Sequence, residues 1–363
     1  MSSAAITDAA GAGAFTHERV VVRRGRRAGL PVIVAVHSTA LGQAIGGCRL
    51  TRYPDWRDGL ADALRLSAAM TDKCAVAGLP NGGGKTVVPL PPDRTLDDTE
   101  RRAVLHDVGD AIAALAGTYA TGPDVGTGPD DMTTIAERTQ HVFCRPVDAG
   151  GSGDSSIHTA TGVLAALGAL CAARFGSDQL AGRRFAVMGL GRVGERVARH
   201  LAAARAELVL SDIDDGKRTL ADELGAVWVA PRDCLEAKVD VLVPAALGGL
   251  LNPATVSRLR CAAIAGPANN QLDEPDTAEL LHQRGILWAP DFIVGAGGVL
   301  HATAVELHHE TTAQATTRVA SIADTLTEVL HTARRSGITP VTAARQQARQ
   351  RIQVAEKRCP ILK

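Results

Sequence analysis

Three side chains in this 363-residue sequence pair reactive chemistry with glycine-rich, otherwise apolar surroundings. Lys73 lies in "AMTDKCAVAGLP", Lys85 in "NGGGK" and Asp124 in "TGPDVGT". One lysine can bind a substrate carboxylate as a fixed cation. A second cation nearby, with partial burial, lowers the other lysine's pKa toward neutrality, where it can act as a base. An aspartate can relay the proton. Taken singly, each of the three also reads as solvated surface. Together with a nucleotide site further along the chain, they make chemical sense.

The same stretch, "GLPNGGGKTVV", invites a different reading as a phosphate loop. That loop needs G-x-x-x-x-G-K-S/T, so that backbone N–H groups curl around the phosphates. Counting back from Gly84-Lys85-Thr86 places the first glycine at Leu79, and Gly78 misses by one. The order is also wrong. "KTVVPLP" runs from the lysine into a strand, whereas a phosphate loop runs into a helix whose N-terminus faces the anion. Lys85 therefore needs another role.

The nucleotide site is "FAVMGLGRVGERVARHL", with G-x-G-x-x-G as Gly189, Gly191 and Gly194. The spacing alone is weak in a chain of 37 glycines, but its context is right. An apolar strand precedes it, and a helix follows with Val193, Val197 and Leu201 spaced by four. The first glycine makes the tight turn, the second lets the backbone approach a pyrophosphate, and the third lets the helix sit close on the sheet. Asp212 ends the next strand, in "LVLSDID", where it can hold ribose hydroxyls and repel a 2′-phosphate. That favours NAD over NADP, a preference tempered by Lys217 and Arg218. Arg192, Val193 and, earlier in the chain, Thr159 complete the candidate cofactor-binding set.

The elements needed to position these groups fall into two patterns. "ERVVVRR" and "LPVIVAVHS" predict a hairpin through "GRRAG". A helix from Trp56 follows, with Trp56, Leu60 and Leu64 on one face and Asp58, Asp62, Arg65 and Asp72 on another. It ends near "VAGLPNGGG", and "KTVVPLP" is a strand. A helix over "LDDTERRAVLHDVGDAIAALAG", a strand "TYAT" and a turn "GPDVGTGPDD" complete an α/β domain at 1–147, with 1–15 an unstructured tail. "DAGGSGDSS" marks the boundary. Beyond it, "RFAVMGL", "AELVLSD", "AVWVA", "VDVLVPAA", "CAAIAG" and "ILWAP" alternate with helical stretches. They predict a doubly wound, Rossmann-type parallel sheet at 148–335. A C-terminal helix at 336–363 is expected to return to the first domain.

Composition narrows the possibilities. Zero formal net charge argues against a nucleic-acid or anionic-membrane surface as the main business. The apolar run "TGVLAALGALCAA" is too short to span a bilayer and reads as a buried helix. The N-terminus shows no secretory pattern. Seven singly scattered cysteines read as reduced thiols in a cytoplasmic protein, without a zinc framework. The histidines form no metal-binding spacing, and His308-His309 reads as solvated helix surface.

From about residue 18 to 345 the sequence resembles the glutamate/leucine/phenylalanine/valine family of amino-acid dehydrogenases. The likeness runs through "HSTALGQAIGGCRL", "MTDKCAVAGLPNGGGK", "TGPDVGT", "GLGRVG", "GPANNQL" and "GILWAPDFIVGAGGV". It implies NAD-dependent oxidative deamination of an L-amino acid to the 2-oxo acid and ammonia, with the reverse reductive amination. By that likeness Lys73 grips the α-carboxylate, Lys85 is the catalytic base toward water and Asp124 assists proton transfer. Asn269 orients the amino group or nicotinamide, and Gly47 lends backbone close to the substrate. Met70 joins the substrate-binding set. No metal is required, and a homo-oligomer, dimer or higher, is expected.

The glutamate branch carries a lysine just before the glycines of "GG-x-R", and here that position is Ile45. An apolar wall leaves a glutamate carboxylate unpaired and desolvated, so apolar substrates, branched-chain or aromatic, fit better. The family pattern "PDF-x-x-NAGG" is broken by Gly295, and Pro267 replaces an alanine in "GPANN". Two alternatives stay open: reductive amination of a specialised bulky 2-oxo acid, and a catalytically weak NAD-binding protein.

Overall fold

The computed structural model describes residues 15–246 and 248–358, so the expected N-terminal tail lies outside the described residues but for Phe15. Two compact units result. The first takes the described residues up to Asp154, Glu306–His309 and those from Ala348 onward; the second takes Ser155–Val305 and Glu310–Gln347.

In the first unit β1 (Arg19–Arg24) and β2 (Pro31–Ser38) form the expected antiparallel hairpin. A strand absent from the sequence reading follows, β3 (Ala44–Arg52). Its glycines disguise it, and both its faces are covered, so no simple apolar–polar alternation appears. Helix α1 (Trp56–Val76) starts at Asp55, whose side chain accepts from Arg57 N, and Asp58 closes the capping box. Its buried face is Gly59, Ala63, Ser67, Thr71 and Cys74. The expected Trp56/Leu60/Leu64 stripe is only its flank, since small residues let a helix lie closest to a sheet and the larger side chains are pushed outward.

Strand β4 (Gly82–Leu90) is buried along its whole length and starts three residues before the expected "KTVVPLP", taking in Gly82, Gly83 and Gly84. After α2 (Asp98–Ala113), β5 (Tyr119–Pro123) and α3 (Pro129–Ala136), the sheet order is β1-β2-β4-β3-β5. β4 runs antiparallel to β2 and parallel to β3, which is parallel to β5. Ile33, Ala35 and Val87 pack under Ala63 of α1. Cys48, Leu50 and Val88 face Val104, Ile112 and Ile135 of α2 and α3.

The second unit opens with α4 (Ser155–Phe175). The apolar run expected to be too short for a bilayer sits in a helix of 21 residues, long and apolar enough to cross one. Here α4 packs against α5 (Arg192–Ala203) and α13 (Ile322–Ser336) and buries Val163, Leu167 and Leu170. The strands are β6 (Arg184–Met188), β7 (Glu207–Ser211), β8 (Val227–Trp228), β9 (Val241–Pro244), β10 (Ala263–Ile264) and β11 (Leu287–Trp288). All pair in parallel, in the order β8-β7-β6-β9-β10-β11. That is the dinucleotide-binding order, whose switch point lies between β6 and β9. The remaining helices are α6 (Arg218–Leu224), α7 (Pro231–Leu235), α8 (Pro253–Val256), α9 (Thr277–Gln283), α10 (Asp291–Val294), α11 (Gly297–Glu306), α12 (Thr312–Ala320) and α14 (Pro340–Arg358). The end of α14 belongs to the first unit, where Arg351 donates to the carbonyls of Ala75 and Val76 at 2.8 and 2.6 Å. It thereby adds a side-chain donor at the carbonyl end of α1, where Ala75 also accepts from the Gly78 N–H.

Candidate active site

Strand register explains why distant residues meet in the first unit. Ile45 of β3 pairs with Gly83 of β4, and Gly47 pairs with Gly122 of β5. Side chains two apart share a face, so Ile45, Gly47 and Arg49 of β3 share one with Lys85. That face is covered by α1, because Gly83 lies directly against Thr71 of the helix. Lys73 and Lys85 each lie two residues beyond this contact. Lys73 and Met70 are half-buried in the last turns of α1, and Ile45 is fully buried.

Lys85 Nζ stands 2.7 Å from Asp124 Oδ2, and only 7% of the lysine side chain is exposed. Asp124 sits on the turn after β5, where its N–H donates to Thr127 Oγ1 at 3.0 Å. Thr127 in turn donates to the Cys48 carbonyl at 2.7 Å, tying the turn to β3. A β-carbon on Gly47 would stand 2.6 Å from the Asp124 β-carbon, so only glycine lets the carboxylate come this close.

Burial drives the electrostatics. Desolvation pulls Lys85 below its ordinary value of 10.5, even though Asp124 opposes the shift. Asp124 is also desolvated, yet Lys85 and Arg49 together hold its carboxyl below the usual range. The buried Cys48 thiol is pushed up to about 12 and is not a competing base. The corner therefore holds an ionised carboxylate beside an amine that loses its proton more readily than a surface lysine.

The second unit supplies a different kind of site. Gly189 follows β6 with φ of 100°, a conformation that favours glycine, and packs against Ala245 and Ala246 beyond β9. Gly191 caps α5 without any side-chain hydrogen bond, and a β-carbon there would meet nothing within 4 Å. The N-terminus of α5 thus carries neither a capping side chain nor side-chain bulk at Gly191, at the switch point, which fits a pyrophosphate. Gly194 abuts the Gly189 carbonyl, while Arg192 is exposed and Val193 half-buried. Asp212 follows β7 and accepts from Leu190 N at 2.5 Å and Asp214 N at 3.0 Å. Lys217 is engaged by Glu195 at 3.3 Å.

Thr159 lies in α4 and donates to the Ser155 carbonyl at 2.9 Å. Asn269 is exposed on a loop held by Gln271, whose side chain donates to the carbonyls of Gly266 and Ala268. Gln271 is itself fixed by Asp291 and Trp288. Gly295 ends α10 with φ of −84°, which any residue can adopt. A β-carbon there would stand 3.2 Å from the Asp291 carbonyl.

Several structural partners escaped the sequence reading. Arg49 reaches Asp124 and Asp62, and Tyr53 donates to Asp62. Arg49 belongs to the quoted "GG-x-R" stretch, and Asp62 to the polar face of α1, but nothing local links them. Glu306 accepts from Cys144 N and Ser152 N at 2.7 and 2.8 Å. His308, expected on a solvated helix surface, is instead half-buried beyond the end of α11 and bonds Asn81 Oδ1 at 2.9 Å. The buried Asn81 amide, just before β4, offers it a partner that spacing cannot reveal. Among the described residues no cluster of three or more His, Cys, Asp or Glu could hold a metal ion.

Residues 14–141 match the family model for the Glu/Leu/Phe/Val dehydrogenase dimerisation domain, and residues 210–358 match that for glutamate/leucine/phenylalanine/valine dehydrogenase. The chain is 38% identical to leucine dehydrogenase of Geobacillus stearothermophilus, over 96% of this chain and 94% of that one. It is 37% identical to phenylalanine dehydrogenase of Lysinibacillus sphaericus, over 94% and 90%. The crystal structure of L-tryptophan dehydrogenase from Nostoc punctiforme superposes with a TM-score of 0.82 at 34% identity, covering 94% of this chain and 97% of that one. The chain belongs to the glutamate/leucine/phenylalanine/valine dehydrogenase family of amino-acid oxidoreductases.

Proposed function

We propose that this chain catalyses NAD-dependent oxidative deamination of an apolar L-amino acid, and the reverse reductive amination, in the cytoplasm as a homo-oligomer. The observation that carries the reading is the buried Lys85–Asp124 pair at 2.7 Å. Lys73 holds the α-carboxylate of the substrate as a fixed cation, with Met70 and the Gly47 backbone beside it. The dinucleotide, when bound, supplies the acceptor for the hydride that leaves Cα. Lys85 then takes a proton from water as the water oxygen adds to the substrate imine, and Asp124 stabilises the ammonium so formed. The Lys85 ammonium then gives its proton to the departing nitrogen and takes the hydroxyl proton, so that the carbinolamine collapses to the 2-oxo acid and ammonia. Asn269 orients the amino group or the nicotinamide.

Gly189, Gly191, Arg192, Val193 and Gly194 would hold the pyrophosphate, with Thr159 beside the nicotinamide and Asp212 on the adenosine ribose. Asp212 supports NAD over NADP, because its carboxylate is fixed by two backbone N–H groups while Lys217 is engaged by Glu195. Ile45 supports an apolar substrate, since a glutamate carboxylate beside it would have no charge partner. The boundary near 148 and the return of the C-terminal helix belong to the same reading.

The test is a panel of valine, leucine, phenylalanine, tryptophan and glutamate with NAD and with NADP, read by nicotinamide absorbance in both directions. Turnover of apolar amino acids with NAD is expected. Preference for glutamate, or no turnover of any of them, contradicts the reading.

A further inference from the structure

Behind the Lys85–Asp124 pair lies a chain of charges that the reaction scheme does not use. Arg49 Nε donates to Asp124 Oδ2 at 2.9 Å, the same oxygen that Lys85 contacts. One NH2 group of the Arg49 guanidinium donates to Asp62 Oδ2 at 2.7 Å. That oxygen also accepts from Tyr53 OH at 2.7 Å, while Asp62 Oδ1 takes Arg65 at 2.5 Å. The side chains of Arg49 and Asp62 are only 18% and 14% exposed, so these contacts are little screened by solvent. The residues come from three places, with Arg49 on β3, Asp62 on α1 and Asp124 after β5. Arg49 is the link between the helix and the carboxylate.

We propose that Arg49 and Asp62 are positioning residues for the base: Arg49 holds the Asp124 carboxylate ionised and aimed at Lys85, and Asp62 with Tyr53 fixes the Arg49 fork. The inference rests on Lys85 acting as the base, and it refines what Asp124 does. With two cations on one oxygen, Asp124 stays an anion throughout. The proton taken from water is held on Lys85 Nζ until the amino group leaves and is not passed to the carboxylate. Lysine cannot replace arginine fully in this position, since its ammonium lacks the planar fork that spans two carboxylates.

The groups acting on Lys85 from each surrounding element are Asp124 after β5, Arg49 on β3 and Asp62 on α1, with the buried Cys48 and Tyr119 near Asp124. Arg49 lowers the Lys85 pKa by like-charge repulsion and Asp62 raises it. Removing each should therefore move the acid limb of the kcat profile in opposite directions, a pattern that general loosening of the fold does not produce.

The experiment uses the full chain as wild type, Arg49→Gln, Arg49→Lys and Asp62→Asn, with thermal midpoints confirming folding. Arg49→Gln should lower kcat by roughly tenfold and move the acid limb to higher pH. Asp62→Asn should move it to lower pH. Arg49→Lys should recover part of kcat, and cofactor affinity should stay unchanged in all three. Limbs that stay put, or move together, overturn the proposal. If Arg49→Gln does not fold, Asp62→Asn still decides, because an unmoved limb there is fatal. The Lys85 amine can also be titrated directly by heteronuclear NMR, assigned with Lys85→Arg. If the wild type turns over no amino acid, the dehydrogenase reading fails. The opposite shifts seen by NMR would then still test the positioning role.

Discussion

The lysine corner of the first unit and the glycine loop of the second are built in different ways. In the loop the backbone sets the geometry: Gly189 turns with φ of 100°, and Gly191 starts α5 without a capping side chain. In the corner, side chains do it, and each needs support. Lys85 is tuned by burial and by Asp124, which is in turn held by Arg49 and Thr127. Backbone sites are built from contiguous residues, whereas side-chain sites are assembled by register across β3, β4 and β5. A substitution in the corner should therefore damage chemistry and spare the cofactor, and one in the second unit should do the reverse.

Lys85→Ala should show this division most strongly. Loss of the base should cut kcat by about 10³-fold while NADH affinity, measured by fluorescence titration, stays near wild type. A near-normal kcat would remove Lys85 from the chemistry. Lys73→Ala should act mainly on binding, raising KM for the amino acid by roughly 10- to 100-fold, the worth of a charge-assisted hydrogen bond. If KM held and kcat fell instead, the two lysines would exchange roles.

The glycine loop was legible in the sequence because its geometry is local. Gly189, Gly191, Gly194 and Asp212 lie within one βαβ unit, where spacing alone dictates which atoms meet. The corner was less so. The glycines hide β3 altogether and the start of β4, both buried on both faces, and without β3 between β4 and β5 no spacing brings Lys85 to Asp124. Residue type and surroundings singled out Lys85 and Asp124 and the resemblance gave them roles, but neither pointed to Arg49 reaching back to Asp62 on α1. His308 and Glu306 were opaque for the same reason, since their partners lie more than 150 residues away in the chain.

The second unit makes the converse prediction. Asp212→Ala should change the NAD:NADP preference by roughly tenfold toward NADP, about the worth of one charged hydrogen bond, and leave the kcat pH profile in place. An unchanged preference would assign cofactor choice to other groups. Gly295→Asn should have the smallest effect, a few-fold change, since its backbone accepts a side chain with only a slight shift near the Asp291 carbonyl. A reordering of valine, leucine, phenylalanine and tryptophan by kcat/KM would mean that Gly295 widens the pocket. A uniform rise would mean that asparagine restores a hydrogen bond. No change in either would place Gly295 away from the substrate.

The central claim is that Lys85, desolvated yet paired with Asp124, is the base. The measurement that reaches it most directly is the pH dependence of kcat for deamination in the wild type and in Asp124→Asn. Lys85 must be neutral to accept a proton, so kcat should fall as pH drops through its pKa, below the ordinary 10.5. Asp124 is the anion that holds that pKa up against burial, so the neutral amide should move the limb further toward acid. A limb that does not move, or moves toward alkali, would contradict the account.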